Sequence, residues 1–172
     1  MYSATVAGAS VAGMAKTGFH LASQWKTTVV SYKTLGLKKG YSWLDFGKKF
    51  EDHLAATKYV PGDRFPEHFK TFDFFDKENG IAISAKTLDT KANSYNNPAK
   101  IGGTIRDYIK KTVDFEEHKL SGTSLTKDMI KGRKLELGIP TKTTPVQRQH
   151  IMEAVEFGKS EGVEVVITEI EY

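Results

Sequence analysis

The chain has no cysteine. Disulfides, thiolate metal centres and cysteine nucleophiles are therefore excluded, and a fold that needs no disulfide can cross oxidising and reducing compartments. No long apolar run is present either. Residues 1–15 are uncharged and rich in Ala, Gly, Ser and Val, but they fall short of the roughly 20 apolar residues a membrane span needs. They also lack the basic start of a signal peptide, so no stable membrane span is expected. Acid is missing from residues 1–40, which carry five lysines, while all 21 acids and the other 20 basic residues lie in 41–172. The high pI thus belongs to the leading segment, and the rest of the chain has no overall basic surplus. A nucleic-acid reading must then rest on local patches, for which Lys48-Lys49, Lys110-Lys111 and Lys131-Gly132-Arg133-Lys134 are the candidates. Taken singly, each is equally well read as a solvated face.

What is present organises around one stretch, Phe72 to Thr90. Phe72 to Asp76 is aromatic and strand-like, and Lys77-Glu78-Asn79-Gly80 supplies a tight turn, because Asn and Gly tolerate positive φ. Ile81 to Leu88 alternates, with Ile81, Ile83, Ala85 and Thr87 on one face and Ala82, Ser84, Lys86 and Leu88 on the other. A turn centred between Glu78 and Asn79 sets Asp73 opposite Ser84, so that Asp73, Ser84 and Lys86 share a face.

The length fits one domain with a short appendage. Residues 1–40 read as the appendage, partly helical, with a boundary near Gly36 to Gly40 and a start that looks like an arbitrary cut in something longer. The main domain is then 41–172. Tyr41 to Thr57 reads as a helix with an apolar stripe of Trp43, Phe46, Phe50 and Leu54; Glu51 sits at the stripe's edge, with Gly47 leaving room beside it. Val60 to Pro66 is a loop. Asn97-Pro98 starts a second helix that buries Ile101, Ile105, Tyr108 and Ile109. Residues 114–130 are ambiguous, with a turn at Ser121-Gly122. Arg133 to Ile139 alternates like a strand, Thr144-Pro145-Val146-Gln147 matches a capping box, and the helix it starts stops at Gly162 before a last strand, Val163 to Ile170. Strand, helix, strand at this spacing predicts a crossover between parallel strands. The expected class is α/β, a mixed sheet flanked by helices.

Cleaving a phosphodiester requires a positioned nucleophile, neutralised charge at phosphorus and help for the leaving oxygen. Mg²⁺ takes one or two carboxylates with water and phosphate completing its shell. Glu51 and Asp73 are the expected carboxylates, and Lys86 is expected to reach the same phosphate. Asp76 is the rival to Asp73, since a differently built turn would change which acid faces Lys86. A lone Lys86 would otherwise be read as an edge lysine that blocks strand pairing.

Three blocks of residues carry a resemblance. Gly47-x-x-Phe50-Glu51, Phe69 to Asp76 and Gly80 to Thr90 resemble the C-terminal tRNA-cleaving toxin domain of CdiA proteins, the toxins of bacterial contact-dependent growth inhibition. The likeness continues through the Pro98 helix, Ile139-Pro140, Thr143-Thr144 with Gln147, and Gly158 to Val163, covering roughly 45–170. It implies a PD-(D/E)XK-type nuclease whose site carries over as Glu51, Asp73 and Lys86. Ser84 stands where that motif carries an acid, which leaves metal number and identity open among Mg²⁺, Mn²⁺ and Zn²⁺. Lys48, Thr87, Thr144 and Gln147 are the expected substrate contacts, although capping alone accounts for Thr144 and Gln147. The resemblance further implies a tRNA substrate and a cognate CdiI-like immunity protein that blocks the active site. The domain would ride as the tip of a large cell-surface protein and act in the cytoplasm of a target bacterium, with 1–40 the tail of the segment that aids delivery.

Three alternatives stand beside this. One is a DNA endonuclease of the same fold. Another is a metal-independent ribonuclease working through histidine, although His20, His53, His68, His118 and His150 form no close pair. The third is a non-catalytic interaction module whose hairpin acids are merely solvated.

Overall fold

The computed structural model describes residues 25–171. Its strands are β1 (Thr28–Ser31), β2 (Phe74–Asp76), β3 (Ile81–Thr87), β4 (Glu117–Leu120), β5 (Thr123–Thr126), β6 (Gly132–Pro140) and β7 (Val163–Glu171). Its helices are α1 (Phe46–Thr57), α2 (Ala99–Val113) and α3 (Pro145–Ser160). Five strands form one sheet in the order β1-β7-β6-β3-β2, and β4 and β5 form a separate ribbon. Every pair in the large sheet is parallel except β2 with β3. This is the mixed α/β sheet flanked by helices that the patterning predicts.

The helices arise where expected, for the expected reasons. Phe46, Phe50 and Leu54 bury one stripe of α1 against Phe74, Ile83 and Ile170. Ile101, Ile105 and Ile109 of α2 pack with Leu135, Leu137 and Ile139 of β6 and Ile151 of α3 on the opposite face of the sheet. Thr144 and Gln147 close a reciprocal capping box with Pro145 at the first turn of α3, and Gly162 takes φ +75° beyond its end. β6 and β7 are parallel neighbours joined through α3. The ambiguous 114–130 stretch becomes the β4–β5 ribbon, turned by Ser121 at φ +51° and Gly122 at φ +78°.

Two features depart from expectation. The first concerns the N-terminal side. Residues 1–24, with their predicted helical content and His20, lie outside the described residues. The boundary placed at 36–40, however, falls after structure that the sheet uses. β1 pairs with β7 from Thr28 opposite Thr168 to Ser31 opposite Glu171. Leu35 and Leu37 are buried with Phe46 and Phe50. Thr27 Oγ1 donates to Glu169 Oε2 at 2.7 Å, and the Arg148 guanidinium lies 5.2 Å from the centre of the Trp25 ring. A strand edge and two apolar side chains are satisfied only by this segment, so 28–37 belongs to the sheet domain.

The second is Glu136. It alternates with Leu135, Leu137 and Ile139 of β6, which pack toward α2 and α3, yet on the other side of the sheet Glu136 is fully buried as well. Lys58 Nζ and Tyr59 Oη both donate to its Oε1. Burial first, and then the Glu136 charge, hold the Tyr59 phenol far above its usual range, so it remains a donor.

Candidate active site

The turn after β2 is built by Asp76. Its Oδ1 accepts the Asn79 N–H at 3.0 Å, its Oδ2 accepts from Asn79 Nδ2 at 2.8 Å, and Gly80 follows at φ +70°. The pairs that result, Phe74 with Ile83, Phe75 with Ala82 and Asp76 with Ile81, are those of a turn centred between Glu78 and Asn79. Carried one residue outward, this register sets Asp73 across from Ser84.

Regular pairing stops there. The Asp73 N–H donates to Ile83 O at 2.8 Å, and its C=O accepts from the Phe65 N–H at 2.8 Å. Upstream, Thr71 at φ +72° and His68 at φ +68° turn the chain off the β3 edge. Non-glycine residues reach that region only at a cost on the order of 1–3 kcal/mol each, and such strain concentrates at functional sites. The upper half of β3 is thereby left without a β2 neighbour. Asp73 Oδ2 accepts the Ala85 N–H at 2.6 Å, taking the place a strand carbonyl would have filled.

Burial pushes the Asp73 carboxyl up to about 6. The Ala85 N–H and the Lys86 ammonium pull it back, Glu51 raises it further, and Arg64 lowers it. Asp73 therefore lies within electrostatic reach of Glu51 on α1, Lys86 on β3 and Arg64 on the intervening loop. Glu51 Oε1 accepts from Arg64 Nε at 3.0 Å and Nη2 at 2.8 Å, and the same Nη2 donates to Asp52 Oδ1 at 2.7 Å. Glu51, Asp73, Arg64, Lys48 and His68 line a cavity of about 410 Å³. Ser84 and Lys86 line a different one, of about 550 Å³, on the α2 side.

The structure thus brings together Glu51, Asp73 and Lys86, with Ser84 buried beside them. It does not bring in the others equally. Asp76 is committed to the turn, and its bonds to Asn79 hold its carboxyl below the usual range; three residues along the strand from Asp73, it faces the other way. Lys48 lines the carboxylate cavity, 4.0 Å from Glu67. Thr87 faces α1: its Oγ1 is the only atom near the position a Cβ on Gly47 would take, at 3.7 Å. Gly47 accordingly marks the approach of helix to sheet, and a methyl would fit there. Gln147 Oε1 accepts the Thr144 N–H, and its Nε2 donates to Thr90 O at 2.7 Å. Thr144 and Gln147 are cap and brace, and neither lines the two cavities beside Asp73. The described histidines are distributed over α1, the loop before β2, β4 and α3.

Arg64 is the participant that sequence reading missed. It lies in a turn-rich loop with no periodicity to flag it. Lys111 was flagged only as half of a dibasic pair; the fold aims Lys111, not Lys110, at a cavity.

Among the described residues no group of three or more His, Asp or Glu forms a metal cage. The donor set is a pair of carboxylates, each with one oxygen, Asp73 Oδ1 and Glu51 Oε2, that has no hydrogen-bond partner among the described residues. Two carboxylates without thiolate suit a hard divalent cation whose remaining ligands come from water and phosphate. The residues present fit such an ion.

A family model described as "CDI toxin restriction endonuclease-like domain" matches residues 46–168. The chain is 37% identical over 145 residues to "Deoxyribonuclease CdiA" of Yersinia pseudotuberculosis serotype O:3 (strain YPIII), covering 84% of this chain and 13% of that protein. It is 36% identical over 146 residues to "Deoxyribonuclease CdiA-o11" of Escherichia coli O157:H7 (strain EC869), covering 84% of this chain and 38% of that one. Its fold matches a chain of the "CdiA-CT/CdiI toxin and immunity complex from Yersinia pseudotuberculosis" with a TM-score of 0.63 at 38% identity, over 69% of this chain and 96% of that one.

Proposed function

The chain belongs to the family of CDI toxin restriction endonuclease-like domains, and from that premise we propose that it is a toxin nuclease that cleaves DNA by divalent-metal-dependent phosphodiester hydrolysis. The observation that carries this is the Asp73 carboxylate, held by the Ala85 N–H at the open edge of β3 within electrostatic reach of both Glu51 and Lys86. The tRNA substrate expected from the resemblance gives way to DNA because both curated relatives are named deoxyribonucleases.

In this reading Asp73 and Glu51 hold the cation through their free oxygens. When bound, the ion supplies charge neutralisation at phosphorus and at the departing oxygen. The Ala85 N–H fixes the Asp73 carboxylate in one orientation. Lys86 places an ammonium on a non-bridging oxygen of the scissile phosphate. Ser84, in the place of an acid, lines the site without adding charge. Arg64 balances the charge of Glu51 and Asp52 in the metal-free protein.

A matching solved structure is a toxin and immunity complex, which supports a CdiI-like immunity partner, and we propose that this partner blocks the site. Because the chain spans only a fraction of its relatives, we read it as the toxic portion of a far larger surface protein, carried into a target bacterium. The test is to incubate the purified chain with plasmid and with total tRNA, each with Mg²⁺, Mn²⁺, Zn²⁺ or EDTA. Cation-dependent loss of supercoiled plasmid, absent in Lys86→Ala, is expected. Cleavage of tRNA with plasmid left intact overturns the substrate, and cleavage that survives EDTA overturns the metal.

A further inference from the structure

Asp73 lines one of the two cavities and Ser84 and Lys86 of the neighbouring strand line the other, and the two differ in charge. On the α1 side, Lys48 and Arg64 face Glu51, Glu67 and Asp73. Both of those cations are already engaged, Lys48 with Glu67 and Arg64 with Glu51 and Asp52. On the α2 side, Lys70, Lys86 and Lys111 face a single acid, Asp114. Among the described residues none of these three ammonium groups has a hydrogen bond or ion pair, and the Tyr108 hydroxyl in the same wall has no hydrogen-bond partner. One cavity is rich in carboxylates; the other presents a surplus of positive charge, three lysines to one aspartate.

The three lysines reach the cavity from three elements. Lys86 comes from β3, Lys111 from the last turn of α2, and Lys70 from the loop before β2. That loop is held by the left-handed Thr71, which itself lines the cavity. A left-handed loop residue on one side and a helix end on the other set the backbone positions from which these lysines line a space of about 550 Å³, within the range of small-ligand sites. A lysine in the last turn of a helix also complements the helix dipole, but that accounts for Lys110 equally, and Lys110 does not line the cavity.

We propose that Lys70 and Lys111, with the Tyr108 hydroxyl, form a second phosphate subsite that holds the DNA backbone next to the scissile bond, so that the strand enters from the α2 side and meets the cation at Asp73. The proposal rests on the DNA-nuclease reading above. Lys86 then lies between the two phosphates, and Lys70 and Lys111 position the strand without touching the reacting atoms.

Binding in EDTA separates this from chemistry. Anisotropy of a fluorescein-labelled DNA duplex is followed over a salt series for wild type, Lys70→Ala, Lys111→Ala, the double variant and Lys159→Ala, with thermal melts to show that each is folded. Each phosphate contact contributes about 0.9 to the slope of log K against log salt. Lys70→Ala and Lys111→Ala should each lower that slope by about 1, and the double variant by about 2. Lys159→Ala, on the far end of α3, should leave it unchanged, and Lys111→Arg should restore it. The stabilisation by Mn²⁺ should be the same in all of them, since the carboxylates are untouched. Wild-type slope and affinity in the double variant would overturn the subsite, as would failure of the wild type to bind either DNA or tRNA. Binding of tRNA but not DNA, with the same lysine-dependent slopes, would overturn the DNA reading and support the subsite.

Discussion

Replacing Asp73 by Asn should stabilise the metal-free protein while ending its activity. The folded carboxyl titrates at about 6 against an ordinary value of 3.8. At roughly 1.36 kcal/mol per unit, the ionised group costs the folded state about 3 kcal/mol at neutral pH. The sign follows from the direction of the shift. With the folded value above the unfolded one, the native state binds the proton more tightly, so this contribution favours folding below about pH 4. It is lost as pH rises through about 6. Asparagine retains an oxygen that can accept the Ala85 N–H and removes the charge. With its own burial deducted, the gain at neutral pH should be about 1–3 kcal/mol, a rise in melting temperature of roughly 3–10 °C for a chain of this size. The assay is a set of melts in EDTA from about pH 4 to about pH 8 for both proteins. The gap should open as pH rises and close near pH 4, and added Mn²⁺ should stabilise the wild type alone. A gap that is absent at neutral pH, or that persists unchanged at pH 4, would refute the reasoning.

A chain starting at residue 41 loses β1 and the buried Leu35 and Leu37; it should melt without cooperativity by circular dichroism, and Leu35→Ala alone should cost about 2–4 kcal/mol in urea unfolding. Arg64→Ala leaves Glu51 and Asp52 unpaired. It should lower metal-free stability by about 1–2 kcal/mol while increasing the rise in melting temperature that a divalent cation produces.

The hairpin was legible because its information is local: Asn79-Gly80 sets the turn, and alternation over Ile81 to Leu88 sets the faces. The register from Asp76 opposite Ile81 to Phe74 opposite Ile83 followed, with Asp73 one residue beyond the last pair. The stripe on α1 and the cap on α3 were legible for the same reason. What escaped depends on contacts distant in sequence. β1 is only four residues long and carries one half-exposed valine, Val29, so its place beside β7 leaves no periodic trace. The burial of Glu136 beneath Lys58 and Tyr59 is of the same kind, since alternation says which residues share a face, not what covers it. Arg64 enters the site only because the loop after α1 returns along β2, where Arg64 bridges Phe74. Thr144 and Gln147 show the converse: a local motif, the capping box, accounted fully for residues also assigned to substrate.

The central claim is that Glu51, Asp73 and Lys86 act as one unit on a DNA phosphodiester. It is tested most directly by plasmid cleavage rates, with the active cation at saturation, for Asp73→Ala, Lys86→Ala and the double variant. Residues that act together give non-additive losses. Each single variant should lose at least about a hundredfold, and the double should be little slower than either. Losses that multiply in the double variant, or near-wild-type cleavage by Asp73→Ala, would contradict the account.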